Sequence, residues 1–495
     1  MEKINHLIDG TEVEFPSESF GLVFNPATGE QTKKVSFATS DEVDTAVASC
    51  LDAFEEWKMV SIAHRVGLLY EFRNLVVENA DEIARRLTAE HGKVTNDARG
   101  EVARGIENIE FACGFAEALK GTYSESVSNG VDVHTVRQPL GVCAGITPFN
   151  FPAMVPLWMI PNALACGNTF LLKPSEKDPS APNLVVQLIQ EAGFPPGVVN
   201  LINGDKVAVD RILGHPDVAA VSFVGSTPVA RYIYETGTKT GKRIQALGGA
   251  KNHMVVLPDA DLDLAADAAV SAAYGSAGER CMAISVVVAV GEIGDSLVEA
   301  IKLRIEKLVI GSGDDPDSEM GPLITCEHRD RVASYIQAGS EAGAVVVVDG
   351  RDQLFNGDGF FLGVSLLDEV TTDMSVYTDE IFGPVLSIVR ARSYSEAVNM
   401  IEKNPYGNGA AIFTRDGGVA RRFQADADAG MVGINVPIPV PVGYHSFGGW
   451  GDSLFGDTTM YGPEGLHFYT RPKVITSRWP DPSTSSVDLG FPRNS

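Results

Sequence analysis

From residue 142 onward the chain alternates two textures, and that alternation restricts its fold more than any other feature. The short apolar runs VCAGIT (142–147), TFLLKP (169–174), VVNLIN (198–203) and AVSFVG (220–225) have strand length, and Gly, Pro or Asn bounds each of them. Helix-length stretches lie between them, Leu184 to Ala192 and Ala208 to Leu213 among others. Strands separated by helices predict a parallel sheet, because a parallel neighbour is reached only by a crossover. A second alternating stretch runs from Met254–Gly275 through Leu297–Val309 to Ile434 and predicts a second α/β unit. Ahead of both, Val43, Ala46, Val47, Cys50, Leu51, Phe54 and Trp57 recur at helical steps, and the segment from Arg65 to Lys93 repeats the pattern.

Charge and cysteine usage narrow the function. With 65 acidic residues against 39 basic ones, the net charge of −26 repels phosphate backbones and anionic lipid, so neither nucleic acid nor membrane is expected as a partner. The opening MEKINHLIDGTEVEF lacks the basic and apolar segments of a secretory leader, which predicts a cytoplasmic location. Cysteines at 50, 113, 143, 166, 281 and 326 form no CxxC pair and read as free thiols. The histidines avoid zinc-binding spacings, so no metal is expected. The Pro- and Ser-rich end, PDPSTSSVDLGFPRNS, predicts a poorly ordered tail over 482–495.

Two short stretches invite chemistry. The segment GTKTGKR (237–243) falls one residue short of a phosphate loop, and GxGxxG is absent. In SFVGSTPVA (222–230) a strand ends at Gly225 and Ser226 before a helix with Pro228 in its first turn. Free N–H groups there could meet a pyrophosphate, although an ordinary strand-to-helix turn reads the same way. In GSAGERCMAIS (275–285), Cys281 follows Arg280. A lone cysteine is usually a small buried hydrophobe, but a flexible Gly278 and a cation are poor company in a core, and the cation favours the reactive thiolate.

PFNFP (148–152), KPSE (173–176), SFVGST (222–227), GERCMA (278–283) and EIFGP (380–384) occur in order, and with them the chain resembles the aldehyde dehydrogenases from about residue 5 to about residue 480. The resemblance implies an α/β fold with a Rossmann-type NAD-binding domain over 1–123 and 139–250 and an α/β catalytic domain over 251–445. A small β oligomerisation element and C-terminal segment would occupy 124–138 and 446–481. It also implies Cys281 as nucleophile, with Asn150 and the Cys281 backbone N–H as oxyanion hole. For the cofactor it implies Lys173 and Glu176 at the adenosine ribose, Gly225 and Ser226 near the pyrophosphate, Glu380 at the nicotinamide ribose, and Phe149 and Phe382 as further contacts. Glu176 would accept ribose hydroxyls and repel a 2′-phosphate, which favours NAD over NADP. A homo-oligomer, dimer or tetramer, is implied as well, with 130–138 and 466–479 pairing across subunits.

The chain departs from the hydrolytic members at one position. Where they carry a glutamate in a motif like ELGGK, QALGGAKNH (245–253) offers Ala246 if aligned on LGG or Leu247 if aligned on Lys251. Neither takes a proton. Without a base water is a slow nucleophile, whereas a thiol attacks thioesters well. QALGGAKNH, GERCMAIS and EVARGIENIEFACG (101–114) resemble the coenzyme A-acylating methylmalonate-semialdehyde dehydrogenase branch, in which two arginines, here Arg280 and Arg104, hold the substrate carboxylate. A surface ion pair with Glu101 or Glu107 is the alternative for Arg104. The expected reaction is NAD-dependent oxidative decarboxylation of methylmalonate or malonate semialdehyde to propionyl-CoA or acetyl-CoA, with coenzyme A as co-substrate. Hydrolysis with Glu380 as a distant base is the alternative.

Overall fold

The computed structural model describes residues 2–15, 19–479 and 483, so apart from Ser483 the expected tail over 482–495 lies outside the described residues. At the centre of an eight-stranded sheet, five parallel strands lie in the order Arg243–Leu247, Val218–Val224, Val142–Ile146, Thr169–Lys173, Val199–Leu201. The chain starts at Val142–Ile146, winds to one side, then returns to build the other. Such a reversal opens a crevice beyond the carboxyl ends of the strands. Val142–Ile146 and Thr169–Lys173 are buried along their whole length, as strands covered by helices on both faces must be. The hairpin His6–Ile8/Thr11–Val13 closes one edge and Leu454–Phe455 the other.

The helix Ser40–Trp57 begins at a reciprocal cap in which the Thr39 hydroxyl accepts the Glu42 N–H and the Glu42 carboxylate accepts the Thr39 N–H. The helical pattern expected from Arg65 to Lys93 is divided into Ile62–Glu78 and Ala80–His91. The break falls at Asn79, whose side-chain amide donates to the Leu75 carbonyl, the local competition by which asparagine ends helices.

A second, seven-stranded sheet runs Val345–Val348, Ser365–Asp368, Val385–Ala391, Ile284–Val290, Asn252–Val256, Gly409–Phe413, Met431–Ile434, parallel except at the Val345–Val348 edge. The segments 130–138 and 466–479, expected to pair across subunits, differ from that expectation. Val131–Pro139 pairs with Thr470–Arg478 and with Thr122–Ser128 inside one chain. Residues 466–468 are not strand but the end of the helix Gly462–Phe468, which opens with Pro463 and buries Leu466 and Phe468. No helix among the described residues is long and apolar enough to cross a membrane.

Candidate active site

A cavity of about 750 Å³ lies at the carboxyl ends of the central strands, and residues of the second α/β unit, among them Cys281, His328 and Glu380, line its other side. Each strand contributes the residues that follow it: Phe149 and Asn150 after Val142–Ile146, Lys173 and Glu176 at the end of Thr169–Lys173, Gly225 and Ser226 after Val218–Val224, and Gly248 after Arg243–Leu247. Cys281, Glu380 and Phe382 complete the lining, so every expected nucleophile, oxyanion and cofactor residue meets in one place.

One half suits a dinucleotide. The helix Thr227–Lys239 starts at Ser226, has Pro228 in its first turn, and receives no hydrogen bond from the Ser226 side chain, which leaves first-turn N–H donors for an anion. A Cβ on Gly225 would come within 2.4 Å of the Phe223 ring, so a larger residue here would require that ring to shift. Burial pushes the Glu176 carboxyl up, but Lys173, 3.4 Å away, together with a backbone N–H and Lys177 outweighs it and holds the group below its ordinary value, ionised and able to accept a ribose diol.

Cys281 sits in the loop between the helix Leu262–Tyr274 and the strand Ile284–Val290, after a left-handed turn with φ of 52°, 52° and 74° at Ser276, Ala277 and Gly278. Its carbonyl accepts the side-chain amides of Asn252 at 2.9 Å and Asn408 at 3.0 Å, which fix the loop against two strands. The sulfur is half-buried in the cavity wall. Burial first and the Glu380 charge second push the thiol up to about 12, against the backbone N–H groups of Cys281 and Met282 and, least, Arg280. Arg280 acts in the expected direction but is outweighed by burial and Glu380, so the resting Cys281 is a thiol. The Arg280 guanidinium lies 2.8 Å from the Asp97 carboxylate, which neutralises it.

Asn150 is buried and donates one amide hydrogen to the Glu279 carbonyl at 3.0 Å, leaving the other for a ligand. Glu380 accepts the Ala250 N–H at 2.9 Å, and burial raises its carboxyl to about 6. Neither Arg280 nor Arg104 lines the cavity; Arg104 pairs with Glu107 at 2.9 Å on the helix surface. Ala246 and Leu247 are both buried and also stand outside the lining. Among the described residues no group of three or more His, Cys, Asp or Glu side chains is placed to hold a metal ion.

The model of the aldehyde dehydrogenase family matches residues 16–475. The chain belongs to the aldehyde dehydrogenase family. It is 53% identical over 496 residues to the malonate-semialdehyde dehydrogenase of Pseudomonas aeruginosa, covering 99% of this chain and 100% of that one. Among solved structures, the methylmalonate-semialdehyde dehydrogenase of Oceanimonas doudoroffii superimposes with a TM-score of 0.96 at 51% identity, covering 98% of this chain and 99% of its own. A Sinorhizobium meliloti 1021 protein, provisionally called methylmalonate-semialdehyde dehydrogenase and complexed with NAD, has the same TM-score of 0.96 and identity of 51%, covering 97% and 99%.

This aldehyde dehydrogenase also uses residues that sequence reasoning missed. His328 lines the cavity with its Nε2 2.7 Å from the Phe382 carbonyl, and it belongs to no motif. Trp158 packs against Phe447 and Tyr461 with centroids 5.0 and 5.1 Å away. Burial raises the Tyr461 hydroxyl above its ordinary value, with smaller influences from Cys281, which raises it further, and Arg104, which lowers it. Glu279 is wholly buried, and burial holds its carboxyl well above the ordinary range.

Proposed function

We propose that this oxidoreductase converts malonate or methylmalonate semialdehyde with NAD, releases carbon dioxide, and passes the remaining acetyl or propionyl group from Cys281 to coenzyme A. The names of its relatives support the substrate class. The observation that carries the acyl transfer is that the two positions aligning with the glutamate of the hydrolytic members are the apolar, buried Ala246 and Leu247. Two of the cavity carboxylates, Glu176 and Asp205, belong to the nucleotide half, and Glu380 is tied to the Ala250 N–H.

In this reading the Cys281 thiol releases its proton to solvent, the sulfur attacks the aldehyde carbon, and the free Asn150 N–H and the Cys281 N–H receive the developing oxyanion. Bound NAD, held by Glu176, Ser226 and Glu380, supplies the hydride acceptor. The resulting thioester carries a carboxylate on its α carbon. The electron pair of that carbon–carbon bond moves toward the thioester carbonyl as carbon dioxide leaves, and the carbon then takes a proton. The thiolate of coenzyme A attacks the thioester and returns Cys281 as the leaving thiolate. Arg280 serves the substrate carboxylate by exchanging Asp97 for it, a bidentate match that a guanidinium makes well, and Arg104 is assigned the second grip on that carboxylate.

Glu380 favours a second reading, hydrolysis, because a carboxyl raised to about 6 is a competent base in the same cavity as the sulfur. One assay separates the two: NADH release with each semialdehyde, with and without coenzyme A, with the acyl product identified. A burst that stops near one NADH per subunit until coenzyme A is added supports acyl transfer, and full turnover to free acid without it defeats that reading. The outward-facing Tyr123 and Val474 on the outer strands of the three-stranded sheet support a homo-oligomer, dimer or tetramer, and a cytoplasmic location completes the proposal.

A further inference from the structure

Behind the turn that carries Asn150 lies a wholly buried ion pair. Lys93 follows the helix Ala80–His91, Glu101 sits on the helix Thr95–Cys113, and their charged groups are 2.7 Å apart. The Lys93 Nζ also donates to the Asn150 backbone carbonyl at 2.6 Å and lies 4.6 Å from the centre of the Phe151 ring. The other Glu101 oxygen accepts the N–H groups of Ala153 and Met154 at 2.9 and 3.0 Å. Those amides open the helix Met154–Ala165, whose cap residue, Ala153, has no side chain able to accept them. The pair thus grips both ends of the Asn150–Ala153 turn from behind, while the Asn150 amide reaches forward to the Glu279 carbonyl in the nucleophile loop.

Taking two charges out of water costs about what their attraction returns, so a buried ion pair is not in itself a device for stability. This one directs charge-assisted bonds at one short turn, and an oxyanion donor is effective only when fixed to a fraction of an ångström. We infer that Lys93 and Glu101 are positioning residues that set the Asn150 amide for the oxyanion. The inference rests on Asn150 being the oxyanion donor, as proposed above.

The test compares the single-turnover NADH burst with malonate semialdehyde, NAD affinity from tryptophan fluorescence, and the thermal midpoint in five proteins. These are the unaltered enzyme, Lys93→Met, Glu101→Gln, the double variant carrying both, and Asn150→Ala. Each single variant leaves a buried charge or donor without its partner and loses stability. The double variant removes both charges, so its thermal midpoint recovers relative to Lys93→Met, but its burst stays about tenfold or more below the unaltered enzyme with NAD affinity unchanged. A double variant with the unaltered burst, or bursts that simply track the thermal midpoint across the set, overturns the inference. If Asn150→Ala itself keeps the unaltered burst, it is the oxyanion assignment that fails. As a further check Lys93→Arg, which keeps charge and donors, retains more of the burst than Lys93→Met; equal losses count against positioning.

Discussion

The guanidinium of Arg280 lies 2.8 Å from the carboxylate of Asp97, and the two line a smaller cavity of about 400 Å³, while Arg280 and Cys281 also share the lining of a small pocket. An arginine adjacent in sequence to the nucleophile is thus held, without ligand, by an acid from the first turn of the helix Thr95–Cys113.

If Arg280 exchanges Asp97 for the substrate carboxylate, Arg280→Leu lowers kcat/KM for malonate semialdehyde at least about tenfold more than for propanal, the scale of a charged hydrogen bond. Asp97→Asn acts oppositely, lowering KM for the semialdehyde while leaving propanal unchanged. Steady-state kinetics with both aldehydes checks the pair. Equal losses on both substrates in Arg280→Leu remove the carboxylate role.

A thiol pushed up to about 12 predicts slow alkylation of resting Cys281 at neutral pH, rising as the medium turns alkaline. The Glu380 charge is the second cause of that rise, so Glu380→Gln lowers the thiol value and speeds iodoacetamide labelling at pH 8. Cys281→Ala abolishes NADH production and keeps NAD binding. Labelling of Cys281 that is unchanged or slower in Glu380→Gln contradicts the electrostatic account.

Burial lowers Lys251 to about 7, and its Nζ donates to the Val376 and Asp379 carbonyls. Between that value and the ordinary lysine value of about 10.5 the unfolded chain binds more protons than the folded one, so this residue makes stability rise with pH. From pH 7 to pH 9 the effect amounts to about 2 kcal/mol. Lys251→Met lacks it. The thermal midpoint of the unaltered enzyme relative to Lys251→Met therefore climbs over that interval, and a constant difference refutes the assignment.

Gly278→Ala meets two penalties, a φ of +74° and a Cβ 2.3 Å from the Gly383 carbonyl oxygen. Each belongs to the class of changes costing about 1 to 3 kcal/mol, and both act on the loop that presents Cys281. Thermal unfolding and Cys281 labelling fall together in this variant. An unaltered thermal midpoint shows that the loop yields freely.

The strands of both sheets are legible in the sequence because a strand buried on both faces must be apolar along its length, a local property that VCAGIT and TFLLKP display. Cys281, Asn150 and Glu380 were legible because their neighbours in the chain form recognisable groups. The break at Asn79 was not, since its amide turns back on the preceding turn only once a helix has formed. The Arg280–Asp97 and Lys93–Glu101 contacts were hidden as well: the first pair is separated by most of a domain, and the second reads as ordinary charges on and beside a helix.

The sequence by itself determined which residues could do chemistry and that two wound α/β units would carry them, because side-chain type and periodicity are written locally. Tertiary structure alone decided the charge state and aim of those residues. Burial sets the thiol of Cys281, Asp97 claims Arg280, and Lys93 with Glu101 braces the Asn150 turn. Desolvation and Coulomb attraction depend on what is near in space, and that proximity is created only when the chain folds.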